Sequence, residues 1–397
     1  MDETTAVKRL RGSSPPSTYI PLDIIQETVL CRLPVKSLVR FRCLCKPWNS
    51  LISKDHKFAK KHIGVSPKRQ HLVTTTWKRD EKLSVMCSPF DSLNLHSTFD
   101  SKSIQLDYSP IISTDDDGLV ASCDGLLCFA FDERRVDIYN PCIRKVKKLP
   151  YLPRVKGSNS RSTHYAFGYD TFIDDYKVVA VCCHYSKYHE TQFKVHSYTL
   201  GTDYWKRIKD FPSMFSFHAF SPPNRSQHGI FLRGTVNWLT FSESTYSDAI
   251  VSLHLGKESY RKISLPDLPD RRDYENPKIM ALYVMRDCLC VYEISQETCC
   301  DSCIDVWLMK EYGNKESWIK LIHLPFFGDY VYLTDIVYIS EENHVLLVFN
   351  RLEQNFKWAV YDSKNDTITT KISSKTQDNL GYSLVKSKVY IESLISP

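Results

Sequence analysis

The sequence predicts a mainly β chain with a small all-α domain at its N-terminus, the β part being a propeller of six blades. Three observations predict this. Pro21, Pro34 and Pro47 each open a short apolar pattern at helical spacing, and proline is preorganised for a first helical turn. Beyond residue 70, short runs rich in Val, Tyr, Phe, Trp and Thr are separated by turn residues, with no helical periodicity longer than two turns. Those runs recur at a nearly constant spacing.

Residues 1–18 are polar, with Pro15, Pro16 and several Ser and Thr, and read as a disordered tail. Lys8, Arg9 and Arg11 within it form a weak nuclear-type signal, and no apolar stretch of the kind a secretory leader needs is present. After Pro21, Leu22, Ile25 and Val29 share a helical face that Leu30 and Leu33 widen, while Asp23 and Glu27 suit the positive end of the helix dipole. After Pro34, Val35, Leu38 and Val39 form a second short helix with Lys36 and Arg40 outside. Trp48, Leu51 and Ile52 lie on one face of a third, restarted by Pro47. Three helices in about 40 residues cannot hide all their apolar surface, so the unit is expected to dock onto a partner or onto the rest of the chain. The densest basic stretch, Lys54 to Arg69, reads as a solvated helix end and linker rather than a phosphate-binding patch.

The repeat is an aliphatic–aromatic strand, a polar turn, and a strand ending in a basic–aliphatic pair. Its anchors are Tyr139, Tyr198, Leu253, Trp307 and Tyr361, spaced 59, 55, 54 and 54 residues apart. A second unit, a turn followed by an apolar run, keeps step: CDGLLCFAF, DDYKVVAVCC, RGTVNWLTF, RDCLCVYEI and ENHVLLVFN. A weaker copy near Val85 brings the blades to six. A spacing near 55 suits a four-stranded blade with generous loops, and each blade exposes apolar faces that only its neighbours can cover. The strand candidate at Ser387–Leu394 is expected to pair with the first blade and close the ring. A β-sandwich with accidental periodicity is the competing architecture.

The composition narrows the function. Of 397 residues, 42% are hydrophobic and 25% charged, which is globular, and no apolar run approaches the length of a membrane span. A net charge of +6 over this length is mild and does not point to nucleic acid. Fourteen cysteines, many inside apolar runs, suggest free thiols in a reducing compartment, the cytoplasm, the nucleus or both. The catalytic and phosphate-binding motifs G-x-S-x-G, G-x-G-x-x-G, H-E-x-x-H and the Walker loop are missing. Asp115–Asp117 reads as a turn, and His184, His189 and His196 as surface-loop residues. Cys288, Cys290, Cys299, Cys300 and Cys303 include one C-x-x-C without a second, so loop and core thiols are the favoured reading over zinc or redox sensing. No cofactor or metal is expected.

The N-terminal residues resemble a plant-type F-box. The matching positions are Pro21, Asp23, Ile24, Leu30, Leu33 to Leu38, Arg40 to Cys43, Cys45, Lys46, Trp48, Leu51 and Ile52. Ile20 replaces the usual leucine before the proline, and Pro47 stands where a polar residue is more usual. The remainder resembles the F-box-associated domain of the plant F-box/kelch-repeat superfamily, through CDGLLCF, IYNP, FGYD, DDYKVV, YTLGTDYWKRI, EYGNKESWIKL and YIESLISP. The kelch double glycine is absent. The resemblance implies a disordered tail at 1–18, a three-helix F-box at 19–62, a basic linker at 63–70 and a kelch-like β-propeller at 71–397.

It also implies a non-catalytic substrate receptor of an SCF-type ubiquitin ligase. The F-box would bind a Skp-family adaptor and through it the cullin–RING scaffold, and the propeller would hold a target protein. Adaptor contacts fall on Pro21, Leu22, Ile25, Leu30, Leu33, Pro34, Leu38, Phe41 and Trp48, some of which could instead hold the helices to one another. Target contacts are sought among aromatic loop residues: Tyr185, Tyr188, Phe217, Phe220, Phe327 and Tyr330. An F-box scaffold or a glycan-binding propeller acting outside the ligase is the alternative. Neither nucleic acid nor membrane is an expected partner.

Overall fold

Beyond residue 68, five of the six sheets are built from strands consecutive in the chain, and only the first borrows one from elsewhere. The computed structural model describes residues 24–77, 83–91, 95, 103–108, 118–154, 160–185, 191–217, 228–242, 245, 247–267, 279–296, 302–324, 332–350, 356–372 and 385–397. It divides into two compact units, residues 1–67 and 68–397.

The larger unit is a six-bladed β-propeller with all pairings within blades antiparallel. Blade 1 orders Val385–Ile391, Gln70–Trp77, Leu83–Pro89 and Ile104–Gln105; blade 2 spans Leu119–Cys123 to Lys145–Lys148. Blade 3 runs from Ser160–Asp170 to Trp205–Arg207, and blade 4 ends at Ser259–Ile263, its inner edge split between Phe215–Ser216 and Ile230–Leu232. Blade 5 spans Ile279–Met285 to Trp318–Leu324, and blade 6 Tyr332–Ile339 to Thr367–Ile372. The ring closes as expected: Gln70 to Thr76 pair with Ile391 to Val385.

Burial follows position within a blade. Leu126–Ala130 is buried at every residue because neighbouring blades cover both its faces. The outer strand Lys145–Lys148 is almost wholly exposed. Apolar clusters fill the junctions between blades, as where Val179, Val181 and Phe211 of blade 3 meet Val236, Trp238 and Leu253 of blade 4.

The sequence motifs have structural roles here. In CDGLLCF, Asp124 and Gly125 both have positive φ (48° and 80°), the geometry of a tight two-residue hairpin turn. A side chain at Gly125 would lie 2.6 Å from the Ile391 carbonyl oxygen, so glycine lets the blade 2 turn touch the closing strand. The IYNP asparagine, Asn140, is fully buried and donates from Nδ2 to the Ile395 and Ser393 carbonyls at 2.7 and 3.1 Å. It clasps the YIESLISP segment.

FGYD and DDYKVV supply a buried ion pair in blade 3. Lys177 Nζ lies 2.7 Å from Asp170 Oδ2, with side chains 9% and 1% exposed, and also donates to the Leu255 carbonyl of blade 4 at 3.1 Å. At Gly168 an added Cβ would come within 2.1 Å of the Phe231 ring, so the motif glycine permits close blade-to-blade approach.

The smaller unit is helical, with two departures from expectation. The first segment is a wide turn at Ile25–Val29 followed by a tight one at Leu30–Arg32, not one regular helix. Side-chain donors engage backbone carbonyls there: Thr28 Oγ1 reaches Ile24 O at 2.5 Å, Cys31 Sγ reaches Glu27 O at 2.8 Å, and Arg32 reaches Thr28 O at 3.0 Å. Helices then span Val35–Phe41 and Lys46–Lys54, with Pro47 tolerated in the first turn. The second departure is a further helix, His56–Val65, within the basic stretch read as helix end and linker. Asp55 caps it by accepting from Phe58 N at 2.9 Å, and Phe58, Ala59 and His62 bury its inner face.

Candidate functional site

The helical unit sorts its residues into a buried group and a half-exposed apolar group. Leu30, Cys31, Val35, Leu38, Ile52, Phe58, Ala59 and His62 are buried and form its core. His62 bonds the Leu33 carbonyl at 2.7 Å, fixing the last helix to the Leu33–Pro34 corner, and Lys61 pairs with Glu27. Ile25, Leu33, Pro34, Phe41 and Trp48 are only half-buried. Phe41 and Trp48 pack on each other with centroids 5.6 Å apart. Ile24 and Val29 stand 50% exposed and Leu44 65%.

The expected adaptor contacts therefore divide. Leu30 and Leu38 are interior residues, at 1% and 0% exposure. Ile25, Leu33, Pro34, Phe41 and Trp48 keep part of their surface accessible. Pro21 and Leu22 lie outside the described residues. The sequence reading passed over Leu44 and Val29 as contact candidates. Leu44 sits in the turn that follows Val35–Phe41, between Cys43 and Cys45, where periodicity gives no signal.

In the larger unit, a central channel of about 780 Å³ is lined by inner-edge residues including Ser122, Phe231, Tyr283, Arg286, Tyr338 and Lys388. Lys388 Nζ sits 5.4 Å from the Tyr283 ring centroid, a cation–π distance. Arg286 donates to Asn343 Oδ1 at 2.7 Å and to the Ser340 carbonyl, tying blade 5 to blade 6 at the channel rim.

Among the expected target contacts, Phe217 stacks on His164 with centroids 3.8 Å apart and contacts Phe193 and Phe211 at 5.8 and 5.2 Å. Its ring is engaged with the core between blades 3 and 4. Tyr185 ends the strand Asp175–Tyr185. Tyr188, Phe220, Phe327 and Tyr330 lie outside the described residues, as do His189, Asp115–Asp117, Cys299 and Cys300.

His184 and His196 are not loop residues. Both are buried in blade 3 strands, and burial pushes their pKa values down. Consecutive residues on both faces of these strands are buried, because neighbouring blades cover the sheet on either side. Cys290 is likewise buried, and burial pushes its thiol up to about 12. Among the described residues, no group of three or more His, Cys, Asp or Glu side chains is placed to hold a metal ion.

A helical module of F-box type followed by a six-bladed propeller is the class of chain this fold defines. The F-box domain family matches residues 20–60, and the F-box associated beta propeller domain family matches residues 76–397. The F-box/kelch-repeat protein At3g23880 of Arabidopsis thaliana is 30% identical over 390 residues, covering 95% of this chain and 98% of that protein. The F-box protein CPR1 of the same plant is 26% identical, over 88% of this chain and 84% of its own. The chain belongs to the F-box/kelch-repeat family of F-box proteins with an F-box-associated β-propeller.

Proposed function

We propose that the protein is the substrate-recognition subunit of an SCF-type cullin–RING ubiquitin ligase. The helical unit binds a Skp-family adaptor through Leu33, Pro34, Phe41, Trp48 and the exposed Leu44, and the adaptor connects it to the cullin–RING scaffold. The propeller holds a target protein, so that a target lysine meets the charged ubiquitin-conjugating enzyme at raised effective concentration. The chain performs no chemistry itself and works in the cytoplasm, the nucleus or both. The observation carrying this reading is the F-box match over residues 20–60, on a unit that leaves Leu44 65% exposed. Exposed apolar side chains of this kind are what an interface core uses.

The test is affinity capture from the source tissue with the proteasome blocked. Wild type is compared with Leu33→Ala/Pro34→Ala and with Leu44→Glu. Adaptor and cullin captured by wild type and lost from both variants support the reading. A wild-type bait that brings down no adaptor ends it.

A further inference from the structure

The strand that closes the ring brings together a nucleophile, a base and a carboxylate. Cys87, on Leu83–Pro89, lies 3.7 Å by Sγ from Nδ1 of His71, on Gln70–Trp77. The other ring nitrogen of His71, Nε2, lies 3.0 Å from Glu392 Oε1, just past the closing strand. Tyr390, on that strand, places its hydroxyl 3.2 Å from Cys87 Sγ and its ring against His71, with centroids 5.5 Å apart. His71 pairs across from Tyr390, and Val73 across from Cys87, so the three side chains share one face of blade 1. The site is partly open: the His71 and Glu392 side chains are 21% and 17% exposed, and Cys87 is of intermediate exposure.

We propose that Cys87 is a covalent modification site for α,β-unsaturated carbonyl compounds, with protonated His71 as the cationic partner of its sulfur and the proton donor, and Glu392 as the group that orients His71. Each ring nitrogen of His71 has a partner, the arrangement by which an imidazole activates a thiol. The step balances without an added oxidant or reductant. The proton of the Cys87–His71 pair rests on His71 Nδ1, and the freed sulfur pair forms a bond to the β-carbon. The C=C π pair moves to the α-carbon, which takes the proton back from His71 and leaves a thioether.

The electrostatics agree with this geometry. Burial alone lowers the His71 pKa, but the contacts with Cys87 and Glu392 outweigh it and raise it to about 9, so at pH 7 the imidazole holds a proton and presents a cation to the Cys87 sulfur. The other titratable groups around Cys87 are Tyr390, Tyr139, Cys142 and the Arg144–Asp107 pair. Burial pushes Cys142 up to about 12 and raises both tyrosines, so these neighbours stay neutral at pH 7. Other interior thiols such as Cys128 and Cys183 lie in blade cores, raised by burial.

The experiment uses N-ethylmaleimide on the full chain at pH 7, with site-resolved mass spectrometry of labelling rates. Exposed Cys43 and Cys45 of the helical unit serve as reference thiols. Cys87 is expected to label at least as fast as they do despite its lower exposure. In His71→Gln its rate is expected to fall about tenfold, and in Glu392→Gln about threefold, with the reference rates unchanged. The urea midpoint of each variant reports whether the closing strand is still seated. Wild-type labelling slower than Cys43 and Cys45 overturns the proposal. So does a Cys87 rate unchanged or raised in a folded His71→Gln, because access rather than activation then sets it. If His71→Gln unfolds, Glu392→Gln decides alone, and an unchanged rate there overturns the assignment.

Discussion

The indole N–H of Trp205 donates to the backbone carbonyl of Pro150 at 2.7 Å, linking the outer strand of blade 3 to the chain leaving blade 2. The same tether recurs one blade at a time. Tyr260 of blade 4 donates to the Lys209 carbonyl at 3.0 Å, and Trp318 of blade 5 donates to the Ser264 carbonyl at 3.0 Å. Donor and acceptor lie 55, 51 and 54 residues apart, close to the sequence repeat itself. Trp205→Phe keeps the ring's packing role in part and removes the donor. The expected loss is about 1–2 kcal/mol, from the lost bond and a smaller ring. Trp318→Phe should cost a similar amount and Tyr260→Phe less, its hydroxyl being the more exposed. Urea midpoints of the three single variants check this ordering.

Lys177 and Asp170 are buried together, so removing one charge strands the other. Lys177→Met is expected to destabilise the propeller by about 3–5 kcal/mol, and Lys177→Met/Asp170→Leu by less than the single change. Thermal melting of both variants reads the comparison. A double variant weaker than the single would refute it.

Asn140 spends its amide on carbonyls of the segment that follows the closing strand. Asn140→Leu leaves the Ser393 and Ile395 carbonyls without that donor in a buried site, at a cost of about 2–3 kcal/mol. Hydrogen exchange should localise the opening to Tyr390–Ile395 and to the Gln70–Trp77 strand it pairs with.

His71 also carries a pH signature. Its folded pKa of about 9 lies above the ordinary 6.5. The stabilisation is therefore complete below pH 6.5 and is lost as pH rises through about 9. The stability gap between wild type and His71→Gln should shrink across that window, by about 1–2 kcal/mol. Denaturation midpoints of both proteins from pH 6 to 10 measure the gap, which cancels the titration of groups they share.

Within the helical unit, Leu38 and Leu44 should behave in opposite ways. Leu38→Ala removes a fully buried side chain and is expected to cost about 2–5 kcal/mol of that unit's stability. Leu44→Glu changes an exposed residue and should leave helical circular dichroism unaltered while abolishing adaptor capture.

The blade count was legible because each blade repeats one chemistry: turn, apolar strand, aromatic strand, basic outer strand. Tyr139 and Tyr361 sit at matching places in blades 2 and 6 for that reason. The closing strand was legible as an apolar run with no blade of its own, though it starts at Val385, two residues earlier than expected. The last helix of the small unit was missed because Lys57, Lys60 and Lys61 dominated the reading. The Asp55 cap and the Phe58, Ala59, His62 spacing were present in the sequence and would have found it. Pattern alone could not separate Leu38, in the core, from Leu44, on the surface, because both are leucines and only packing distinguishes them. The Cys87–His71–Glu392 arrangement was not legible: Cys87 and His71 face each other across a hairpin, but Glu392 lies 321 positions from His71 and joins them only through ring closure.

That closure also constrains how the protein is made. Until Val385–Ile391 has left the ribosome, blade 1 lacks its inner strand, and Leu72 and Val73 have no lasting cover. The five later blades emerge while the ring stands open, and loop closure across the whole domain comes last. A chain ended anywhere in the final blade lacks Val385–Ile391 and leaves Gln70–Trp77 as an unpaired strand edge, open to pairing with another chain.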